Sequence, residues 1–379
     1  MDFSLSEEQI LIRDTARQFA QNELAPDARE RDAEERFPEK QVKKMGELGF
    51  MGIMTDPKYD GGGMDTVSYC LLMEELSKVD ASAAVIVSVN NSLVCAGIEK
   101  FATEEQKEKY LKPLARGDKL GAFCLSEPGN GSDASALKTT AKLDGDHYIL
   151  NGTKNWITNG VYADIYLVFA TMDRNSGHRG VRCFFVEKGT PGFSVGHKEK
   201  KLGIRSSDTA SLNFDNVRVP AKNLMGDSER GFAIALTILD GGRIGIASQA
   251  LGIAAGSLEA AIKYAKEREQ FGKPLARFQA VQFMIAEMDV RIRASRNLIY
   301  EAAVLKDQDK PYSLESARAK LFASETAMFC ADKAVQIHGG VGYTKDYPVE
   351  RFLRDAKITE IYEGTSEIQK LVISRSALN

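Results

Sequence analysis

The hydrophobic period of this chain changes twice, and that double change limits the folds open to it. Up to about residue 120, apolar residues recur at helical spacing. Ser6 and Gln9 have capping-box spacing. Ile12, Ala16, Phe19 and Ala20 then share one helical face, and Pro26 is expected to stop that helix. Residues 40–48 and 67–78 read the same way. Between them, 57–64 (PKYDGGGM) could suggest a phosphate cradle. No strand precedes it and no GKS or GKT follows, so it reads as a plain loop.

From Gly121 to about Val219 alternation and β-branched residues take over. Residues 163–171 (ADIYLVFAT), 181–187 (VRCFFVE) and 210–214 (ASLNF) are strand candidates. Asp144-Gly145 and Asn151-Gly152 carry hairpin-turn signals on either side of Tyr148 to Leu150. After Pro220 the helical period returns, over 231–269, 275–305 and 313–338. Pro274, Pro311 and Pro348 punctuate these segments, and a last helix runs from about Glu363. The order predicts an α+β fold, mainly α. An N-terminal helical domain (1–120), a middle antiparallel β domain (121–225) and a C-terminal four-helix bundle (226–379) are expected.

Lys+Arg 50 against Asp+Glu 53 leaves a net charge of -3, which argues against a nucleic-acid partner. The five cysteines (Cys70, Cys95, Cys124, Cys183, Cys330) form no CxxC pair and with four histidines give no metal-ligand spacing, so no metal is expected. They read as reduced, buried thiols of a cytosolic protein. The start, Met1-Asp2-Phe3-Ser4, passes straight into an amphipathic helix, without signal or transit character. Apolar stretches such as 232–239 fall short of the ~20 residues of a membrane span. A cytoplasmic protein without membrane insertion is expected.

No G-x-S-x-G elbow accompanies His338-Gly339-Gly340, which disfavours a hydrolase. There is no Walker loop, no H-E-x-x-H, and no G-x-G-x-x-G between a strand and a helix. Three constellations remain. Residues 123–133 (FCLSEPGNGSD) could let a backbone approach a planar or polyanionic ligand, or form an ordinary Gly/Asn loop. Residues 268–274 (REQFGKP), with Gln279, place an Arg suited to phosphate at a helix end that could equally be solvated. Residues 361–368 (IYEGTSEI) place Glu363 and Glu367 where a helix begins at the natural N-cap Thr365. Either carboxylate could simply complement the helix dipole. Glu367 fits that role better, which leaves Glu363 in the connection, able to project into a cavity.

In this order and spacing, SEPGNGSD, WITNG, REQFGKP, QIHGGVGY and IYEGTSEIQ resemble the acyl-CoA dehydrogenase family over essentially the whole chain, and most closely its short-chain branch. The resemblance implies FAD in a cleft between the β unit and the helical bundle. It implies that Phe123, Leu125, Ser126, Gly131 and Ser132 contact the flavin, with Ser132 also touching CoA. Trp156, Ile157 and Thr158 would pack on the ring, although Trp156 alone reads as a core residue. Arg268, Phe271 and Gln279, with Gln336, Gly339 and Gly340, would bind FAD across a subunit boundary in a homotetramer, a dimer of dimers. Thr365, Ser366 and Glu367 would add FAD contacts. Asp240, Arg243, Tyr362 and Gly364 would face the substrate.

Glu363 stands at the family's catalytic base. The implied reaction is α,β-dehydrogenation of a short-chain acyl-CoA, with butyryl-CoA foremost. Glu363 takes the α-proton and β-hydride passes to flavin N5, giving the trans-2-enoyl-CoA. Hydrogen bonds to the thioester oxygen and exclusion of water would narrow the gap in acidity between the α-carbon and the carboxylate. Electrons would go to an electron-transferring flavoprotein. Branches that carry the base on the long helix place it where this chain has Gly242, which supports Glu363. A Glu, not an Asp, also speaks against the nitroalkane oxidase relative. Residues 88–92 (SVNNS) lack the Arg expected for a dicarboxyl substrate. A branched or alicyclic acyl-CoA dehydrogenase, an acyl-CoA oxidase and a non-catalytic acyl-CoA or flavin scaffold are the alternatives. Retention of Glu363 counts against the scaffold.

Overall fold

The computed structural model describes residues 4–226 and 230–379. The sequence reading of residues 1–3, and residues 227–229 of the expected C-terminal domain, lie outside the described residues. The first helix, Glu7–Phe19, begins as its capping box predicts: Ser6 accepts from the Gln9 N–H, and the Gln9 side chain accepts from the Ser6 N–H. Pro26 does not end the helical run. The chain passes through a π turn (Ala20–Leu24) and a 3-10 turn (Ala25–Asp27) into a second helix, Ala28–Glu34. Pro26 occupies the first turn, where its missing N–H costs no hydrogen bond. Helices Glu39–Glu47 and Thr66–Ser77 follow as expected, with a loop around Pro57–Tyr59 between them.

A further helical stretch, Ala81–Phe101, contains a π segment, Val89–Cys95. Its Asn90 and Asn91 lock it in place. Asn90 donates to Met51 O and Leu114 O and accepts from the Gly121 N–H. Asn91 donates to Phe50 O and accepts from the Ile53 N–H. Contrary to the short apolar stretches expected, Ala81–Phe101 and Gly231–Glu267 are each long and apolar enough to cross a membrane. Of their most apolar windows, 94% and 61% are buried inside the protein, so both are core helices.

The β unit is one seven-stranded sheet: β1 (Gly121–Cys124), β2 (Thr140–Asp144), β3 (His147–Thr158), β4 (Ile165–Thr171), β5 (Val181–Glu187), β6 (Phe193–Lys198) and β7 (Thr209–Pro220). The strand order is β1-β4-β2-β3-β7-β6, with β5 also on β4. Most pairs are antiparallel, but β4 runs parallel to β1 and β2. Both faces of β4 and β5 are covered. Ile165, Leu167, Phe169, Val181 and Phe185 join the core shared with the helices. Tyr166, Val168, Phe184 and Val186 join a second core on the other face. That is why these strands read as continuous apolar runs. Asp144-Gly145 makes the β2–β3 hairpin. Asn151-Gly152 does not turn the chain: it is a bulge inside β3, where Gly152 (φ 148) lies so close to Thr139 that a side chain would collide.

The C-terminal region holds the long helices Gly231–Glu267, Gln279–Asp307 and Ser313–His338, and a last helix, Ser366–Leu378, capped by Thr365. Leu275–Arg277 is a 3-10 turn rather than the start of the second. A further short helix after Pro348, Val349–Ile358, was not expected from the sequence.

Candidate active site

The site begins on the sheet. Between Lys154 and Ile157 the β3–β7 register slips, and the bulge turns Trp156 outward with φ 61 and 58% exposure. Ile157 beside it is buried, and Thr158 is half-buried. The loop of residues 125–133 is tied to this bulge. Lys154, fully buried, donates to Leu125 O and to Glu127. Glu127 also accepts from the Lys138 and Thr139 N–H groups, and the Asn155 N–H donates to Ser126 O. Burial would raise the Glu127 pKa, but the Lys154 ammonium and these hydrogen bonds outweigh it and hold it below its ordinary value. Gly131 and Ser132 remain exposed, and a β-carbon on Gly129 or Gly131 would meet only open space. Phe123 packs on Phe169, ring centroids 5.0 Å apart.

The second part lies where the last connection meets the long helix. Glu363 has φ 51, and Gly364 follows at φ 94. Its carboxyl Oε2 is sealed from solvent and has no hydrogen-bond partner. A β-carbon on Gly242 would overlap that oxygen and Leu93, so glycine leaves the space the carboxylate fills. Burial pushes the Glu363 pKa up to about 7, against the opposing pull of Lys320 and Arg243. Arg243 is buried and pairs with Asp240 at 2.6 Å. Tyr362 donates to Gln249, itself buried and donating to Ala81 O. Lys320, fully buried, donates to Gly364 O at 2.8 Å. A cavity of about 330 Å³, lined by polar and apolar side chains alike, carries Lys100, Lys306 and Lys310 beside Glu99, Asp307 and Asp309, and reaches Ser92 and Gly241, the chain neighbours of Leu93 and Gly242.

The structure thus gathers Asp240, Arg243, Tyr362, Glu363 and Gly364. Thr365, Ser366 and Glu367 open the adjoining helix, and Glu367 is exposed. Its pKa is held down by hydrogen bonds from its own N–H and from Thr365, as the helix-start reading expects. The remaining residues are not brought to this place within one chain. Arg268 and Gln279 are exposed, and Phe271 is 93% exposed at the tip of a two-residue hairpin with φ 51. Gln336, Gly339 and Gly340 are exposed at the end of Ser313–His338. Trp156, Phe271 and Glu363 are three of the nine non-glycine residues with positive φ among the described residues, a conformation bulky side chains adopt only under constraint. Lys154, Glu127, Gln249 and Lys320 escaped the sequence reading. For Lys320 a signal existed: a charge in line with Ser316, Ala317, Ala323 and Ser324, small residues buried on one helix face.

A planar, partly apolar dinucleotide fits these parts. The presented indole, the exposed glycine loop tied beside it and the orphaned carboxyl oxygen suit a flat ring and a reacting group that needs a base.

The site carries a stability cost. A carboxyl whose pKa rises from 4.5 to about 7 on folding binds its proton more tightly in the folded chain. Its contribution to stability is fully present below the unfolded value and is lost as pH rises through 7. Glu363→Gln cannot ionise, so its Tm relative to the parent should rise by a few degrees between about pH 5 and pH 8. Melting curves with a pH-independent difference would contradict this.

The chain belongs to the acyl-CoA dehydrogenase family. It matches the family's N-terminal domain over residues 6–118, its middle domain over 122–217 and its C-terminal domain over 229–378. It is an oxidoreductase of that family, whose solved members include one holding FADH2. Within the family it is 54% identical over 374 residues to the short-chain specific acyl-CoA dehydrogenase of Clostridium acetobutylicum, covering 99% of each chain. The structure of butyryl-CoA dehydrogenase from Megasphaera elsdenii superposes with a TM-score of 0.99 at 48% identity, covering 100% of each chain. A chain in the structure described as the electron transferring flavoprotein of Acidaminococcus fermentans does so at 0.99 and 53%, again covering 100% of each.

Proposed function

We propose that this protein dehydrogenates a short-chain acyl-CoA, butyryl-CoA foremost, to the trans-2-enoyl-CoA, with Glu363 as the base. The observation that carries this reading is the half-buried Glu363, whose Oε2 is sealed from solvent without a partner; burial accordingly pushes its pKa up to about 7. A base poised near neutrality can take a weakly acidic α-proton and still exist as carboxylate. Gly242 gives it room, and Arg243 and Lys320 keep it from being wholly protonated. The Glu363 N–H is the donor for the thioester oxygen, where charge develops as the proton leaves. Tyr362 and Gly364 flank the thioester. The cavity beside Gly241 would receive part of the acyl-CoA, with Asp240 and Ser132 as further contacts.

FAD, when bound, supplies the two-electron acceptor for the β-carbon's hydride. Phe123, Leu125, Ser126, Gly131, Ser132, Trp156, Ile157 and Thr158 would hold its ring, and Thr365, Ser366 and Glu367 would extend that contact. Arg268, Phe271, Gln279, Gln336, Gly339 and Gly340 would hold the tail of FAD in a neighbouring subunit of a homotetramer, which their exposure in one chain supports. An electron-transferring flavoprotein is the acceptor we assign. The five free, buried cysteines suit a reducing, cytoplasmic compartment.

A substrate profile tests the reading. Straight, branched and cyclic acyl-CoA esters are supplied with a dye acceptor and products are read by mass spectrometry. Butyryl-CoA should give the highest kcat/KM and lose two hydrogens. A preference for a branched or cyclic ester would overturn the assignment. Arg268→Ala should weaken FAD retention about tenfold or more, as loss of a charge-assisted phosphate contact does. An intact tetramer of unchanged flavin content would contradict it.

A further inference from the structure

Among the buried cations, Arg31 pairs with Asp80, Lys154 with Glu127 and Arg243 with Asp240. Lys320 is as deeply buried and has no carboxylate within ion-pair distance among the described residues. Its ammonium donates to a neutral carbonyl, Gly364 O, which Gln369 Nε2 also holds at 2.9 Å. Burying an ammonium on such terms is expensive and calls for a return elsewhere. That carbonyl belongs to the residue after Glu363, in a turn whose two residues both have positive φ.

We propose that Lys320 is a positioning residue for the reaction: its ammonium pins the Gly364 carbonyl, and so the strained turn that presents Glu363, while its buried charge favours the carboxylate form of that base. This rests on the reading of Glu363 as the base. The groups whose charges reach Lys320 are Glu363, Arg243, Glu360 and Glu367. Those reaching Glu363 are Lys320 and Arg243, and the phenols of Tyr69 and Tyr362 feel the carboxylate in turn. Burial pulls the Lys320 pKa down to about 8, with Glu363 opposing the fall. The ammonium therefore persists at neutral pH, where the base must work.

The test is the titration of the Glu363 carboxyl in the holoenzyme. It is read by infrared difference against Glu363→Gln, beside the pH profile of kcat/KM. Lys320→Met should move the titration midpoint and the acid limb upward by about one pH unit. That shift alone gives about a fivefold loss of kcat/KM at pH 7, which alkaline pH recovers, while the lost hold on Gly364 O adds a pH-independent fall of the kind expected for Gln369→Leu. Lys320→Arg, which keeps the charge, should leave the midpoint near that of the parent. Gln369→Leu should lower turnover without moving it. An unmoved midpoint in Lys320→Met overturns the proposal. If Lys320→Met does not fold, the reciprocal measurement decides. One lysine resonance titrating near pH 8 in [13C]lysine-labelled holoenzyme should fall in Glu363→Gln, and an unchanged lysine titration overturns the proposal. Turnover retained by Glu363→Gln would instead remove the base assignment, whatever the midpoint does.

Discussion

Glu363→Gln is expected to lower turnover by about 10²–10⁴-fold while FAD and acyl-CoA binding persist. The substitution keeps the volume that Gly242 and Leu93 leave for the side chain. It keeps the backbone turn and its N–H, and removes only proton acceptance. KM should therefore change far less than kcat. Steady-state kinetics beside a flavin-to-protein absorbance ratio check this. A variant that loses its flavin would mean that the side chain supports the fold instead.

Lys154→Met is expected to destabilise the folded chain by about 3–5 kcal/mol, the range for removing one member of a buried ion pair. Glu127 would be left buried with only two backbone donors, and Leu125 O would lose its partner. The loop beside Trp156 would lose its clamp, so flavin content should fall with stability. Replacing both partners by apolar residues, Lys154→Met with Glu127→Leu, should restore much of the loss, because no unpaired charge then remains. Urea melts of the single and double variants measure this. A single variant within about 1 kcal/mol of the parent would show that the pair does not hold the loop.

Local signals carried much of the fold. The Ser6–Gln9 box, the prolines between the long helices and the Thr365 cap each act within one turn, and the structure obeys them. Where reading along the chain failed, a tertiary contact decided. Asn151-Gly152 carries a turn signal, but pairing with β7 and the closeness of Thr139 make it a bulge. Pro26 ends a helix in isolation, yet here it begins a new turn. The candidate site was legible around Glu363-Gly364, where a carboxylate and a glycine precede a helix cap; Trp156 reads as a core residue on its own, yet the β3 bulge turns it outward. The supports were not legible. Lys154 lies 27 residues from Glu127, and Lys320 lies 44 from Gly364, so neither partnership shows in any local window.

The central claim is that Glu363, with its Oε2 sealed from solvent, takes the α-proton. Its most direct measurement is anaerobic mixing of the yellow holoenzyme with butyryl-CoA, followed at the flavin absorbance. The parent should bleach within the turnover time, and Glu363→Gln should bind the ester and stay yellow. Bleaching of Glu363→Gln at the parent's rate would contradict the claim.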